Sequence, residues 1–343
     1  MYTLEDLFDT YCVPEDQHTV FGTYLYPLVL FTSENFNDPG TDFSRSVEVI
    51  RTLRIGPHEI MVTRTGGLFA RPQGQPSYST LGATPSEDLQ TKLLFGEALV
   101  DSLNLLTCEL ALSRKLQLVA TVSKTVTNAD ICRGQLSGTG AVAVAGTLSN
   151  GFRRERVDSY MIALLDAVNR GSRCIWNRTQ ELVLDDIQKL ECATRLAAIS
   201  KSIPPLIIGA YASFSSQLFA EAIVDSWIAT EQIVDYLWQE YISGLSAGER
   251  IKRLEDTRTY SVSVRLEVLL TAGVIKLELY EILHGGRKQR NDLVHRAQAG
   301  LSAAVECTHA LRAAVEFVCN REVAVPSCMY GLACMALAGR GPE

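Results

Sequence analysis

The stretch HGGRKQRNDLVHRAQ, residues 284–298, lies between two long apolar patterns: VLLTAGVIKLELYEIL at 268–283 and LSAAVECTHALRAAVEFVC at 301–319. In both patterns apolar side chains return every three or four residues, which indicates helices with one face packed against another element. The stretch between them carries four cations, two histidines and one asparagine. It therefore predicts a positively charged connection inside a domain of packed helices.

The helical pattern extends well before this stretch. We predict helices at 157–169, 180–200, 207–242, 247–257, 263–283 and 290–319. Glycine and proline interrupt helices, and we expect breaks at Gly171-Ser172, Pro204-Pro205, Gly244, 257–261 and Gly285-Gly286. The segment 218–242 is apolar on more than one face, which is typical of a helix in the middle of a bundle or at a subunit interface.

Residues 1–150 have a different character. Short β-like runs occur at 19–32, 46–53, 59–65, 115–127 and 140–148. One strong helical pattern, starting at 85–88 and reaching about residue 110, interrupts them. We therefore predict an α+β chain, in which a mixed α/β domain at 1–150 precedes an all-helical domain at 151–322 and a flexible tail at 323–343.

Composition limits the classes of function. The 343 residues suffice for two domains, and 47% hydrophobic with 21% charged residues is the balance of a folded soluble protein. The formal net charge of −7 excludes a polycation that coats nucleic acid. Any binding of nucleic acid then has to come from a local basic patch, and residues 284–298 are the clearest one.

Cysteine usage and hydropathy predict a cytoplasmic protein. The nine cysteines are scattered without a CxxC pair, which is typical of reduced thiols and does not indicate a metal site. The first residues, MYTLEDLFDTYCVPEDQ, are acidic and lack the pattern of a secretory signal. No apolar run reaches the roughly 18 residues of a membrane span, so we expect no membrane association.

Residues 290–295, RNDLVH, carry a recognisable motif. This segment resembles the R-x4-6-H signature of the HEPN (higher eukaryote and prokaryote nucleotide-binding) family, in which a polar residue commonly follows the arginine. Asn291 fills that place, and the position between two long helices also matches the family. The resemblance covers about residues 153–320. A second match to the bare spacing, Arg51 to His58, lies in strand-and-turn sequence and is interpreted as accidental.

The resemblance implies a metal-independent endoribonuclease with Arg290, Asn291 and His295 as catalytic residues. RNA cleavage of this kind uses the ribose 2′-OH as an internal nucleophile, so protons must move and phosphate charge must be stabilised. An imidazole such as that of His295 exchanges a proton near neutral pH. The guanidinium of Arg290 matches phosphate oxygens, and Asn291 orients His295 or donates to the phosphate.

Further site residues and partners follow from the same interpretation. Glu231 and His284 are candidate supporting residues, and Arg287, Lys288 and Arg296 are candidate RNA-binding residues. We expect no cofactor and no metal ligand. The family usually forms dimers in which two motifs converge, so the expected partners are an RNA substrate, a second copy of the chain or a higher homo-oligomer, and a regulatory protein. The implied setting is a toxin or an anti-phage defence effector.

Two alternatives stay open at the level of sequence. Many domains of this family are non-catalytic, so the chain could instead be a dimerisation or nucleotide/RNA-binding module within a larger defence complex. In an unrelated helical bundle, Arg290 would form a salt bridge with Glu278 or Glu281, and His295 would be a partly buried cap of a neighbouring helix. The domain at 1–150 would act as a sensor, a partner-binding surface or a restraint.

Overall fold

A computed structural model describes residues 19–24, 49–56, 58–63, 67–71, 85–113, 125–127, 131–136, 142–144, 190–245 and 248–324. The chain is α+β, as predicted. Its described residues divide into two compact units. The sheet unit consists of the described residues within Met1–Thr107 and Leu118–Leu190. The helical unit consists of the described residues within Cys108–Gln117 and Glu191–Glu343.

The sheet unit contains a six-stranded sheet whose strands pair antiparallel in the order β2-β3-β4-β1-β5-β6. The strands are β1 Thr19–Tyr24, β2 Val49–Ile55, β3 His58–Thr63, β4 Gly67–Ala70, β5 Cys132–Leu136 and β6 Val142–Val144. Helix α1, Pro85–Leu112, follows β4. Within this unit the side-chain amide of Asn104 on α1 exchanges two hydrogen bonds with the backbone of Val126, 2.9 and 2.8 Å long, and so fixes residues 125–127.

The prediction of helix α1 is confirmed, and so are the predicted strands that overlap β1, β2, β3 and β6. Two strands were missed. Strands β4 and β5 lie outside the predicted runs and are only four and five residues long. Such short strands form because paired neighbours complete their hydrogen bonds, which local sequence does not reveal. The predicted strand 115–127 is described only at 125–127, where it is not a strand.

The helical unit contains seven helices among its described residues, besides the end of α1. They are α2 Glu191–Ile199, α3 Ile203–Ser215, α4 Phe219–Ser243, α5 Gly248–Leu254, α6 Val262–Thr271, α7 Leu277–Arg296 and α8 Leu301–Cys319. Helix α4 packs against each of the other six. Its buried residues extend around more than half of the helix, since Ala229, Ile223 and Ile242 face different sides, which confirms the prediction that 218–242 is apolar on more than one face.

Several predicted helix boundaries were wrong. The single helix expected at 207–242 is divided into α3 and α4, because the chain turns at Gln217 with a φ of +62°. The helix expected at 263–283 is divided at Gly273, whose φ is +73°. The helix expected at 290–319 is also two helices. Helix α7 ends at Ala297, which is left-handed with a φ of +54°, and α8 starts after Gly300.

The predicted break at Gly285-Gly286 was wrong as well, because α7 continues through both glycines. Gly286 is buried where α7 meets α8, and a Cβ there would lie 2.6 Å from the Cβ of Ala310. The Sγ of Cys307 also donates to the Gly286 carbonyl over 3.3 Å. The glycine thus permits close approach of two helices. Pro204 and Pro205 likewise do not break a helix but occupy the first turn of α3, where no N–H is needed.

Other predictions lie largely outside the described residues. These are the helix 157–169, the first part of the helix 180–200, and the domain boundary at 150. The predicted tail 323–343 is described only at its first two residues, Val323 and Ala324, and both are buried. The Ala324 N–H donates to the carbonyl of Leu112 over 2.9 Å, and its carbonyl accepts from the Tyr211 hydroxyl over 3.0 Å.

In the part of the chain that the structure describes, no single helix has both the length and the apolar composition of a membrane span. The pair α2 and α3 reaches that composition only when the two are joined, and they meet at 115°.

Candidate active site

Three helices and one loop of the helical unit enclose an open cleft of about 310 Å³. Helix α4 provides Trp227, Glu231 and Asp235, and α7 provides Arg287, Arg290 and Asn291. The loop before α6 and the first turn of α6 complete the lining with Thr257, Tyr260, Ser261, Val262, Ser263 and Arg265. A volume of this size is at the lower end of small-molecule sites.

Helical spacing brings the three residues of α7 together. Positions i, i+3 and i+4 lie on one face of a helix, and Arg287, Arg290 and Asn291 have this spacing. Leu293 lies on another side of α7, packed against the cluster of buried residues that includes Phe214, Ile223 and Cys307. The contact of Gly286 with α8 and the packing of Leu293 hold the helix so that its basic face lines the cleft.

Two of the arginines in the cleft have no carboxylate partner among the described residues. Arg290 donates from Nη1 to Oδ1 of Asn291 over 3.3 Å and forms no ion pair with Glu278 or Glu281. Arg287 is half-buried, and its Nε is buried without a hydrogen-bond partner. Charged groups taken out of water are stable only when an opposite charge or hydrogen bonds replace the lost hydration. These two guanidinium groups therefore favour an anionic ligand.

The third arginine is neutralised within the protein. Nη1 of Arg265 donates to Oδ1 of Asp235, and the arginine side chain is 5% exposed against 46% for the aspartate. The Arg265 guanidinium also lies over the Trp238 ring, 5.9 Å from its centroid. Burial raises the pKa of Asp235, and the charge and hydrogen bond of Arg265 oppose that shift. The pair forms a fixed wall of the cleft.

His295 lies outside the lining of the cleft. It is exposed on the last turn of α7, four residues after Asn291 and therefore on the same face of the helix. Arg290 is about 140° around the helix from it. The exposure of His295 disagrees with the alternative in which a partly buried imidazole caps a neighbouring helix. In a single chain the predicted catalytic group thus flanks the cleft instead of lining it.

The cleft combines half-buried guanidinium groups, an amide and a carboxylate, which is the chemistry of a site for a charged, hydrogen-bonding ligand. Across the described residues, no group of three or more His, Cys, Asp or Glu side chains is placed to hold a metal ion. No family model, no curated protein and no solved structure matches this chain. The functional interpretation therefore depends on the cleft and on the RNDLVH segment.

The secondary candidates fall into two groups. Glu231 and Arg287 line the cleft. His284 does not line it, and its ring stacks on that of Tyr280 with centroids 5.7 Å apart. Lys288 is exposed, and Arg296 forms a 3.2 Å ion pair with Asp292 on the helix surface. These last three residues are near the motif in sequence but outside the cleft.

Three residues of the cleft were not predicted from the sequence: Asp235, Tyr260 and Arg265. Asp235 follows Glu231 by one helical turn, so the two carboxylates share a face of α4, and this spacing was available as a signal. Arg265 lies in an otherwise apolar helical pattern, where a buried arginine usually needs a partner. The partner itself is 30 residues earlier in the chain, and only the fold reveals it.

Proposed function

We propose that the protein is a metal-independent endoribonuclease of the HEPN type that acts as a homodimer. The observation that supports this most directly is the pair of half-buried arginines, Arg287 and Arg290, which lie beside Asn291 without any described carboxylate partner. Together with His295 on the same helix, they supply the anion binding and the proton carrier that cleavage of RNA requires. In this proposal the helical unit is an all-helical bundle of the HEPN type.

The phosphate would bind between the two arginines and Asn291. Because Oδ1 of Asn291 accepts from Arg290 over 3.3 Å, the amide is oriented and its NH₂ group stays available as a donor. Arg287 and Arg290 then offer planar, permanently charged donors to the remaining phosphate oxygens. Donors placed in this way stabilise the extra negative charge of the pentavalent transition state, and loss of one such donor typically lowers the rate about 10²- to 10³-fold.

His295 would exchange the protons. In the reaction the ribose 2′-OH loses its proton and its oxygen forms a bond to phosphorus. The bond from phosphorus to the 5′ oxygen breaks, and this oxygen gains a proton. The products are a 2′,3′-cyclic phosphate and a 5′-hydroxyl. An imidazole serves either proton transfer near neutral pH.

A second copy of the chain would complete the site. His295 is exposed and next to Val294, which is 58% exposed. On α4, Val224 and Ile228 are 40% and 39% exposed and share a face with Glu231 in the cleft. Exposed apolar side chains beside a polar site favour an interface, and two-fold symmetry would bring the His295 of each subunit towards the other cleft.

A binding module is the second candidate function, because His295 lies outside the cleft in the single chain. In that case the cleft would hold a nucleotide or a phosphate without cleaving RNA, within a larger defence complex. For the endoribonuclease, we propose a cytoplasmic toxin or anti-phage effector without a cofactor. The sheet unit would then serve as the sensor, the surface for a regulatory protein, or the restraint on activity.

The first test is RNA cleavage in the presence of EDTA by the wild type, His295→Ala, Arg290→Ala and Lys252→Ala. We expect fragments with 2′,3′-cyclic phosphate ends from the wild type and from Lys252→Ala, whose side chain is exposed outside the cleft. We expect none from the other two variants. Equal cleavage by His295→Ala and the wild type would refute the site, and loss of cleavage with EDTA would refute metal independence.

A mixing experiment tests the shared site. If each site combines Arg290 of one subunit with His295 of the other, a heterodimer of the two inactive variants keeps one intact site. Random mixing makes half of the dimers mixed, so activity should return to about a quarter of the wild-type level. No recovery in a mixture that forms mixed dimers would show that each site is built within one chain.

A further inference from the structure

The carboxylate of Glu231 lies in the cleft beside unpaired arginines, yet it pairs with none of them. It forms no hydrogen bond and no ion pair with any described residue. The other carboxylate of the cleft, Asp235, is held by Arg265. A free carboxylate repels a phosphate, so in a phosphate-binding cleft Glu231 has to face a part of the ligand that donates hydrogen bonds.

A flat aromatic surface lies in the same cleft. Tyr260 lines it and is half-buried. Its ring packs on that of Trp238 with centroids 5.4 Å apart and an interplanar angle of 31°. Trp238 is itself fixed by a 3.1 Å hydrogen bond from Nε1 to the Leu254 carbonyl and by the Arg265 guanidinium over its ring. Rigid aromatic rings of this kind stack well on an unpaired RNA base.

We propose that the cleft binds a guanine nucleotide of the RNA, with Glu231 accepting hydrogen bonds from the base and Arg287 and Arg290 holding the adjacent phosphate. The proposal rests on the proposed function in taking RNA as the ligand. Guanine presents two neighbouring donors, N1–H and the N2 amino group, which match the two oxygens of a carboxylate. Adenine and cytosine place an acceptor beside their amino group, and uracil flanks its single N–H with two carbonyls.

The cleft volume suits this ligand. About 310 Å³ accommodates one nucleotide but not two stacked ones. One good bidentate contact to a base discriminates against the wrong base by on the order of 10- to 100-fold. The structure thus assigns Glu231 as the residue that selects the base, distinct from the residues that bind the phosphate.

The test is calorimetric binding of guanosine 3′-monophosphate, adenosine 3′-monophosphate and inorganic phosphate to the full-length protein. We expect the wild type to bind the guanine nucleotide about 10- to 100-fold more tightly than the adenine nucleotide. Glu231→Gln should abolish this preference and leave the affinity for inorganic phosphate equal or higher, which also reports that the variant is folded. Glu240→Gln, an exposed acid on the same helix, is the matched control and should keep the preference.

The outcomes separate this inference from the proposed function. Three results would overturn the guanine site. They are equal binding of the two nucleotides by the wild type, a guanine preference that survives in Glu231→Gln, and no binding of either nucleotide. RNA cleavage without preference for guanosine at the mapped cut sites would overturn it too, while the endoribonuclease would stand. A guanine preference that depends on Glu231 in a protein that cuts no RNA would support the inference and refute the nuclease.

Discussion

Substitution by alanine should stabilise the protein at Gly285 of α7 but not at the neighbouring Gly286. Alanine stabilises a helix interior by about 1 kcal/mol relative to glycine. At Gly285 the nearest atom to an added Cβ is Oε2 of Glu306 at 3.8 Å, an ordinary contact. At Gly286 the added Cβ would lie 2.6 Å from the Cβ of Ala310. The clash involves a short side chain on a second helix, so the helices themselves have to move apart.

The expected magnitudes follow from these contacts. Overpacking in a buried helix contact costs about 1–3 kcal/mol. Gly285→Ala should therefore raise the free energy of unfolding by about 1 kcal/mol. Gly286→Ala should leave it unchanged or lower it by up to about 2 kcal/mol, since the helix propensity offsets part of the clash. The difference between the two variants, about 1–3 kcal/mol, isolates the packing contribution because the propensity gain is common to both.

Urea denaturation followed by tryptophan fluorescence measures this difference. Trp227 and Trp238 both belong to the helical unit, and the ring of Trp227 lies 3.7 Å from the added Cβ at Gly286. Ala310→Gly removes the opposing methyl group, so it should restore space in the Gly286→Ala background, with a coupling of about 1–3 kcal/mol between the two substitutions. Two results would refute the close approach of α7 and α8. One is equal stabilisation by Gly285→Ala and Gly286→Ala, and the other is zero coupling between Gly286→Ala and Ala310→Gly.

Three further predictions concern charged groups. Asp235→Ala should destabilise the protein by about 3 kcal/mol, because it leaves the buried Arg265 unpaired. Arg265→Met should destabilise it by only about 1 kcal/mol, because the remaining Asp235 is 46% exposed. Urea denaturation at neutral pH measures both values, and a larger loss in Arg265→Met than in Asp235→Ala would contradict this prediction. Burial and the neighbouring Glu221 raise the pKa of Asp225 above 3.8, so its ionised form weakens the fold at neutral pH. Asp225→Asn should therefore raise the urea midpoint at pH 7. This gain should shrink as the pH falls through the raised pKa of the folded state and vanish well below 3.8, where the carboxyl is protonated in the folded and the unfolded chain alike; a gain of equal size at both extremes of pH would contradict it. Arg290→Lys should lower the single-turnover rate of RNA cleavage about 100-fold, since an ammonium cannot replace the planar fork, and a rate within a few-fold of wild type would remove Arg290 from the site.

The sequence predicted most of the helices because their apolar faces repeat along many residues. Helices α1, α4 and α8 are all long enough for the period to be unambiguous. Their boundaries were less predictable, as the pair Gly285-Gly286 illustrates. A pair of glycines ends a helix when no other packing stabilises that segment. The helix continues through the pair when a second helix packs closely against the glycines. The choice depended on Ala310, which is distant in sequence.

The site was predictable to the extent that it lies on one helix. The sequence directly shows the spacing of Arg290, Asn291 and His295 along α7, and it shows that Arg287 is a basic residue. What the spacing did not reveal is which of these side chains lie in a cleft. Lys288, Arg296 and Arg287 are all cations of α7, but only Arg287 faces the cleft, and this direction is set by the packing of α7 against α4 and α8.

The charge of the whole protein limits what the cleft can bind. With a formal net charge of −7, the protein repels RNA at distances up to roughly the 8 Å Debye length of physiological salt. In the proposed complex, one phosphate meets the two unpaired arginines while its base enters the cleft, and a base that stays paired in a duplex cannot enter. Because about one phosphate is neutralised in the proposed complex, the affinity for single-stranded RNA should fall with a slope of only about −0.7 on a log–log plot against salt concentration. Under this proposal, substrate selection depends on short-range contacts with one base and one phosphate, and these contacts would come from Glu231, Arg287 and Arg290, which line the cleft.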